Sequence, residues 1–371
     1  MSSAATEMSF NLVDKPWVQC LMADGSNRCL SLTEVFKELE HIKCLAGDSP
    51  QQDYAVLRIL LVIFWRAHAV TEEAQECEDF LGWWKNLFGN DVNLIVKPVL
   101  EYLQKYRGRF DLLDSKAPFM QVADLQLSSA EGEISSPTRI IPESEKSYFS
   151  MLAGKESQSI PLPVATRWLI AYHAWDYAGI KSGVLGDPRV NIKSNKNYGA
   201  LAGWAGLTGG VVIKGKNLLQ TLLFNTSPSS VFTEDQIQYD LPVWEREPLT
   251  PAPRANNFPN GPCDVLTWQS RHVRLFYSKN LNSITGVIAT NGDKIEIKSQ
   301  FCDPMTGYRY SGNKSRGGKV VYYPKQHSEE RTFWRGVEAF LSVQQDVKRG
   351  KGQEVDLLPE TISNIKRLIQ K

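Results

Sequence analysis

The residues from Arg189 to Lys216 combine side chains that attract phosphate with a flexible backbone. This stretch, RVNIKSNKNYGALAGWAGLTGGVVIKGK, holds five basic residues, six glycines and two aromatic residues, Tyr198 and Trp204. No Asp or Glu occurs from position 188 to 233, although the chain contains 41 acidic residues. Glycines let a ligand approach the backbone, and lysines without neighbouring carboxylates attract phosphates. The composition therefore favours a nucleic-acid groove.

Two alternative roles for this stretch have to be weighed. A glycine-rich turn region can pack against the body of the protein and leave its lysines in solvent, and composition alone leaves that possibility open. A phosphate-binding P-loop is excluded, although GVVIKGK from Gly210 to Lys216 has its spacing. Asn217 replaces the Ser or Thr that would bind Mg²⁺, and the β-branched run 211–213 predicts a strand where that motif needs a loop.

A second acid-free window runs from Pro304 to Ser328. It interleaves basic residues with tyrosines: Arg309, Lys314, Arg316, Lys319 and Lys325 with Tyr308, Tyr310, Tyr322 and Tyr323. Basic and aromatic residues in alternation suit a nucleic-acid surface. An exposed β-ribbon with solvated lysines explains the pattern equally well.

The chain as a whole is neither basic nor unusual in composition. Its 371 residues are 42% hydrophobic and 22% charged, which is typical of a globular protein with a large core. The net charge of +1 excludes a free-standing, non-specific DNA binder, since any affinity must come from local patches. Six cysteines lack CxxC pairing and metal-ligand spacing, so the sequence predicts free thiols and no metal or other cofactor.

Neither catalysis nor membrane insertion is indicated. The five histidines form no HExxH or triad-like pattern, no GxSxG is present, and we expect no catalytic residue. His68 and His173 lie in apolar helices, which predicts packed core residues. The N-terminus MSSAATEMSF has no signal-peptide pattern, and the apolar run LRILLVIFWRA is too short to span a bilayer and is broken by arginines. We therefore expect a cytoplasmic protein.

The first half of the chain is predicted to be rich in helices. A β-hairpin with its turn at Asp24-Gly25 comes first, and Ser31 and Glu34 predict a capping box. Ser49-Pro50 predicts the start of a buried helix that ends near Ala69. Further helices are predicted from Glu72 to Leu87, from Pro98 to Tyr106 and from Val164 to Tyr177, with a long loop from Phe149 to Pro163 that suggests a functional role.

The later part is predicted to be rich in β-structure. Residues 218–224 predict a short strand or helix, residues 243–260 are proline-rich and irregular, and residues 265–297 alternate like β-hairpins with Asn291-Gly292 as a turn. Closing helices are predicted at 332–348 and 359–370. The fold class is thus α+β: one body over residues 1–371, helix-rich over 1–180, Gly/Lys-rich and β-rich over 181–330, and helical over 331–371.

Several blocks of the sequence resemble one known family. They are FNLVDKPWVQCLMADGSNRCLSLTEVF, LAGDSPQQDYAVLRILLVIFWRA, APFMQV, PTRIIPESEKSYFSM, HAWDYAGIKSG and AGWAGLTGGVVIKGKNLLQTLLFN. Together they resemble the CasA family, the large subunit of the type I-E CRISPR surveillance complex Cascade. The resemblance extends over nearly all of the chain, and its N-terminal blocks are the most specific.

The resemblance implies a subunit without enzymatic activity. In that family the large subunit belongs to an antiviral ribonucleoprotein, recognises the protospacer-adjacent motif (PAM) in double-stranded DNA through the minor groove and helps open the duplex for the guide. The implied partners are CRISPR RNA, the handle-binding, backbone and small subunits, target DNA and a helicase-nuclease. The alternative is an assembly subunit that contacts the RNA handle and proteins without reading DNA.

The resemblance also implies particular site residues. The family's loop for the RNA handle and the nearby DNA is similar to 149–163 here, with Phe149 at its aromatic position and Ser150 and Lys155 within it. The family's glycine loop, which presses against the minor groove, is similar to 197–202. From it and the residues before it we expect DNA contacts by Lys193, Lys196, Asn197, Tyr198, Gly199 and Ala200.

Two further expectations follow from the family pattern. A lysine that reaches the PAM bases corresponds to Lys294, with Lys298 as the alternative, and a solvated hairpin lysine would account for either residue without a role in binding. The family continues into a glutamine-bearing wedge and a C-terminal four-helix bundle, whereas this sequence stops at Lys371. We therefore expect no C-terminal helical bundle here, and either another polypeptide supplies that part or this is a shortened form.

Overall fold

The computed structural model combines helices with small antiparallel sheets and describes residues 8–69, 79–142, 158–199, 201–232, 238–315, 320–325 and 356–370. The α-helices within these ranges are α1 Leu32–Lys37, α2 Pro50–Ala69, α3 Phe80–Gly89, α4 Val92–Lys105, α5 Leu162–Trp175, α6 Trp204–Thr208, α7 Leu218–Phe224, α8 Pro228–Val231, α9 Pro262–Leu266 and α10 Glu360–Gln370. Short 3-10 helices occur at Arg107–Phe110, Pro137–Ile140 and Val243–Glu245.

The strands form small sheets that are distributed along the chain. They are β1 Val18–Met22, β2 Asn27–Leu30, β3 Ile42–Leu45, β4 Ile160–Pro161, β5 Lys181–Ser182, β6 Lys196–Asn197, β7 Arg271–Ser278, β8 Ser283–Asn291, β9 Tyr308–Tyr310 and β10 Tyr322–Pro324. Their orders are β2-β1-β3, β4-β8-β7, β5-β6 and β10-β9. The predicted α+β class is confirmed. Within the described ranges, no helix is long and apolar enough to cross a membrane.

The N-terminal hairpin and the first helix form as the sequence predicts. Strands β1 and β2 pair antiparallel around a turn in which Gly25 has a φ of 86°, a conformation that favours glycine. The Ser31 side chain accepts a hydrogen bond from the Glu34 N–H, and the Glu34 carboxylate accepts one from the Ser31 N–H. This capping box satisfies backbone donors at the start of α1 and fixes the chain where it leaves the sheet.

Helix α2 lies in the centre of the core because its residues are apolar on nearly every side. Residues 55–69 are all buried, and the helix packs against α4, α5, α8 and α9. The Ser49 hydroxyl accepts the Gln52 N–H at 3.2 Å, which confirms the predicted start of the helix. Arg66, near its end, forms a buried ion pair with Glu245 at 2.7 Å, so the charge that is buried there has a partner.

Two predicted helix boundaries were wrong. Helix α4 begins at Val92 instead of Pro98, because the Asp91 side chain caps it and Pro98 is accommodated within the helix. Helix α5 runs from Leu162 to Trp175 instead of from Val164 to Tyr177. It ends there because Asp176, with ψ of 135°, turns the chain out of the helix toward the site described below.

Two predictions in the β region were also wrong. Asn291-Gly292 is not the turn of a hairpin: it lies where β8 ends, and β7 and β8 are joined by residues 279–282. The run 211–213 forms no strand, because its N–H groups bond to the Met305 carbonyl and the Asn225 side chain instead of to a neighbouring strand. Residues 218–224 are helical, and the predicted helix at 332–348 lies outside the described residues.

Candidate nucleic-acid interface

A cavity of about 430 Å³ lies where three distant segments of the chain meet. One wall consists of residues 197–199 and 201–202, at and after the end of β6. The start of β7, the end of β8 and the proline-rich segment 253–257 also line the cavity. The residues that line the cavity are Arg189, Asn197, Tyr198, Gly199, Leu201, Ala202, Pro253, Arg254, Asn257, Ser270, Arg271, Asn291, Gly292, Asp293, Lys294 and Ile295.

Buried amides fix the entry of the 197–202 segment. The Asn291 side-chain amide donates to the Asn197 carbonyl at 3.1 Å, and the Asn197 amide donates to the Asp187 carboxylate. Arg189 pairs with the same carboxylate at 2.9 Å and also donates to the Asn291 carbonyl at 2.7 Å. Because these groups are held by one another, the start of the segment is tied to the end of β8.

A buried arginine fixes the exit of the same segment. Arg271 is 1% exposed; it donates to the Leu201 carbonyl at 3.1 Å and to the Tyr177 carbonyl at 2.9 Å, and it pairs with the Asp176 carboxylate. Lys181 also approaches the Asp176 carboxylate at 2.7 Å, so two cations share one buried acid. At Gly203 a Cβ would collide with the Ala174 carbonyl, so glycine is needed where the segment closes on α5.

Tyr198 and Gly199 are exposed between these two attachments. Gly199 has a φ of 81°, and a Cβ placed there would meet nothing within 4 Å. Tyr198 is 50% exposed, and its hydroxyl bonds to Ser194 at 3.1 Å, which holds the ring beside the cavity. Gly199 therefore presents a bare backbone between two anchored positions, which is the arrangement a close approach by DNA requires.

The charges around the cavity are mostly neutralised by aspartates of the chain itself. Arg189 pairs with Asp187, Arg254 with Asp264 at 2.8 Å, and Arg271 with Asp176. Lys294 is exposed, and none of the described residues forms an ion pair with it. Lys294 is therefore the lining cation whose charge is available to a bound phosphate or base.

Comparison with known proteins identifies the family. The family described as CRISPR-associated protein Cse1 matches residues 11–370 of the chain. The chain belongs to the Cse1 family. The resemblance to the CasA family is thus confirmed, and it extends from the first described strand to the last helix.

The similar proteins are longer than this chain. The CRISPR-associated protein CasA/Cse1 of Thermus thermophilus is 28% identical over 343 residues, which are 90% of this chain and 60% of that protein. The crystal structure of Thermobifida fusca Cse1 is 33% identical with a TM-score of 0.82, covering 98% of this chain and 67% of that one. A chain titled CRISPR RNA-guided surveillance complex has a TM-score of 0.69 at 18% identity, covering 96% and 68%, and supports the fold alone.

The predicted site residues of this Cse1 family member lie in different places. Tyr198, Gly199 and Lys294 meet at the cavity, although Lys294 lies 95 positions after Gly199 in the sequence. Lys298, the alternative to Lys294, does not line the cavity. Lys193 and Lys196 are exposed on the β5–β6 hairpin, outside the cavity wall.

The remaining predicted residues are placed differently. Asn197 is buried, and its side-chain amide donates to the Asp187 carboxylate, so it holds the segment in place. Its DNA contact stays a prediction. Ala200, Phe149, Ser150 and Lys155 lie outside the described residues. The end of the loop 149–163 is described: it forms β4, which pairs with β8 through Ile160 and Ile284.

Sequence reasoning missed the proline-rich wall and the buried arginine. Asn257 and Arg254 line the cavity, but their segment carries no basic or glycine-rich pattern that would distinguish it from a loop. Arg271 begins a β-strand, and its neighbours in the sequence indicate no role for it. The available signal was indirect: an arginine in a β-strand must be buried with a partner or point outward.

Two of the histidines are part of the core, as predicted. His68 and His173 are buried, and burial lowers the pKa of each imidazole to about 4. His173 also bonds through Nε2 to the Met120 carbonyl at 2.9 Å. Both rings are consequently neutral at pH 7 and stabilise packing. Among the described residues, no cluster of three His, Cys, Asp or Glu side chains is arranged to hold a metal ion.

Proposed function

We propose that this chain is a subunit of an RNA-guided CRISPR surveillance complex that recognises the PAM in double-stranded DNA and helps the complex engage its target. It acts by binding, without catalysis. Its partners are CRISPR RNA, the handle-binding, backbone and small subunits, the target duplex and a helicase-nuclease. Membership of the Cse1 family and the similarity to the CRISPR-associated protein CasA/Cse1 of Thermus thermophilus support this assignment.

The observation that carries the proposal is the meeting of Gly199 and Lys294 at one cavity. A bare, anchored backbone lets a minor-groove edge come close, and a single unpaired cation beside it attracts the strand. The minor groove distinguishes A·T from G·C pairs by the guanine N2 amine, so a rigid wall that meets this edge can discriminate between short motifs. The neutralised arginines restrict non-specific attraction at the same place.

The test is to reconstitute the guide-RNA complex with and without this chain and to measure its binding to duplexes that differ only in the PAM. Salt is held fixed, because phosphate contacts make every affinity salt-dependent. We expect tight binding only when both the chain and a preferred PAM are present. A parallel incubation with Mg²⁺ or Mn²⁺ and labelled duplex, without a nuclease subunit, is expected to give no cleavage.

The same measurement distinguishes PAM recognition by this chain from a role in assembly alone. If the chain is incorporated but binding is the same for every PAM, this chain contributes to assembly and sequence reading belongs elsewhere in the complex. If metal-dependent cleavage appears with the purified chain, the proposal of a non-catalytic subunit is wrong.

A further inference from the structure

The structure assigns to Asn257 a direct contact with the bound duplex, made from the proline-rich wall of the cavity that Gly199 also lines. This inference rests on the proposed function and adds a specificity-determining residue to it. Asn257 lies in the proline-rich segment, whose composition gives no sign of nucleic-acid binding. Its position on the cavity wall with Lys294 and Tyr198 is what draws attention to it.

Most polar side chains that line the cavity already have a partner within the protein. The three arginines pair with Asp187, Asp264 and Asp176. The other polar side chains on the walls are also engaged within the protein. They are Asn197 with Asp187, Tyr198 with Ser194, Ser270 with the His173 carbonyl, Asn291 with the Asn197 carbonyl and Asp293 with His272.

Two polar side chains on the walls remain. Within the part of the chain that the structure describes, neither Asn257 nor Lys294 makes a side-chain hydrogen bond or ion pair, and both are exposed. Groups that hold the walls together are satisfied by the protein, whereas these two are left for a ligand. Like Lys294, Asn257 therefore has a side chain that a ligand in the cavity can reach. Its amide is neutral and can both donate and accept hydrogen bonds.

The wall carrying Asn257 is also fixed. The Asn257 carbonyl accepts the Glu296 N–H at 2.8 Å, which joins it to the segment that carries Lys294. The Asp293 carboxylate accepts the Arg254 N–H at 2.9 Å, and the Arg254 guanidinium lies 4.5 Å from the Trp268 ring centroid. Because the backbone is anchored, binding through Asn257 does not carry the cost of ordering the loop.

The chemistry of a carboxamide fits the minor-groove edge. Its NH₂ can donate to adenine N3 or thymine O2, and its oxygen can accept from the guanine N2 amine. The positive charge of Lys294 attracts DNA of any sequence, whereas the Asn257 amide can distinguish base pairs. The two side chains thus divide general attraction from sequence discrimination across one cavity.

The experiment compares Asn257→Ala with wild type in the reconstituted guide-RNA complex, after the preferred PAM has been determined. Duplexes are then prepared in which inosine replaces guanine or 2,6-diaminopurine replaces adenine, one base pair at a time. These analogues remove or add the minor-groove amine and leave the major-groove edge nearly unchanged. Asn256→Ala is the matched control, since Asn256 is a neighbouring exposed amide that does not line the cavity.

We expect Asn257→Ala to weaken binding to the preferred duplex by roughly threefold to tenfold, the value of one neutral hydrogen bond. It should also abolish the response to the analogue at one base pair, while Asn256→Ala keeps that response. An Asn257→Ala complex that responds to every analogue as wild type does would overturn the Asn257 assignment alone. A wild-type complex indifferent to PAM sequence would overturn the proposed function and this inference together.

Discussion

The cavity and the β9–β10 ribbon contain similar residues but differ in what the fold does with them. The ribbon pairs Tyr322 with Tyr310 and Tyr323 with Arg309, and its outer face carries the Arg309 guanidinium 5.4 Å from the Tyr323 ring centroid. Its Lys325 is neutralised by Asp356 at 3.1 Å on the surface. The ribbon is therefore a short, partly buried β-structure that exposes Arg309.

At the cavity, in contrast, most cations form ion pairs within the protein and stabilise its structure. Arg189, Arg254 and Arg271 are engaged with acids that come from outside the acid-free stretch, and Arg189 and Arg271 also bond to carbonyls of the cavity walls. What remains for a ligand is one lysine, one amide and a bare backbone. The number of positive charges is therefore a poor guide to a specific site, because ion pairs within the protein decide which cations are available to a ligand.

The largest effect is expected from Arg271→Gln, which removes the buried anchor of the 197–202 segment. Asp176 keeps Lys181 as a partner, so we expect a loss of about 3 kcal/mol in the free energy of unfolding, near the low end for a broken buried pair. Urea unfolding measures it, and Arg309→Gln on the ribbon is the control, with a change within about 0.5 kcal/mol. Equal losses in the two variants would remove the distinction between anchored and exposed arginines.

Arg271→Lys separates positioning from stability. Lysine keeps a charge beside Asp176 but cannot bridge the carbonyls of Leu201 and Tyr177. Complexes with Arg271→Lys are compared at equal occupancy of folded chain. We expect a smaller difference in affinity between preferred and non-preferred duplexes. Unchanged discrimination at equal occupancy would mean that Arg271 has only a structural role.

The second prediction concerns the core behind the cavity. Burial lowers the pKa of His173 to about 4, below the ordinary value of about 6.5. The unfolded chain therefore binds a proton at higher pH than the folded chain does. The stability from this group is complete above pH 6.5 and falls by about 3 kcal/mol as the pH decreases to 4.

The variant His173→Gln tests this relation, because glutamine can still donate to the Met120 carbonyl. Urea unfolding across pH 4 to 7 should show a shallower loss of stability than in wild type, while the buried His68 continues to contribute. His41→Gln is the surface control, since the His41 side chain is 74% exposed. An identical pH dependence in wild type and His173→Gln would contradict a neutral, buried His173.

The sequence predicted local structure well because local structure depends on neighbouring residues. The capping box at Ser31 and the buried helix that begins at Pro50 follow from short-range patterns. Residues 211–213, where a strand was predicted, form a loop instead. Their hydrogen-bond partners, Met305 and Asn225, are brought near by tertiary contacts that a local pattern does not show.

The candidate site was predictable only in part. Composition and family resemblance could suggest Gly199 and Lys294. They could not show which acid each buried arginine pairs with. Asp176 and Arg271 are 95 positions apart, and no local pattern joins them. Asn257 had no signal at all, because a lone amide in a proline-rich segment resembles any surface loop.

The third prediction distinguishes Lys294 from Lys298. We expect Lys294→Ala to weaken binding of the complex to its preferred duplex by about tenfold, the value of one charge-assisted contact. Lys298→Ala should change binding by less than about twofold, since Lys298 is half-buried and lies outside the cavity wall. Affinities are measured at one salt concentration. The reverse ranking would place the lysine that touches DNA on the other side of Glu296 and move the site away from the cavity.

The smallest effects are expected from exposed lysines outside the cavity. Removing Lys193 and Lys196 together should weaken binding similarly for all sequences and reduce the slope of log affinity against log salt by about 2, one unit for each lost phosphate contact. The matched variant removes Arg309 and Lys314, two exposed cations of the ribbon region. We expect it to leave the slope unchanged, because only the β5–β6 hairpin continues into the anchored segment. If the ribbon variant lowered the slope equally, DNA would follow both acid-free stretches. Net local charge would then describe the surface better than the pairing of its cations does.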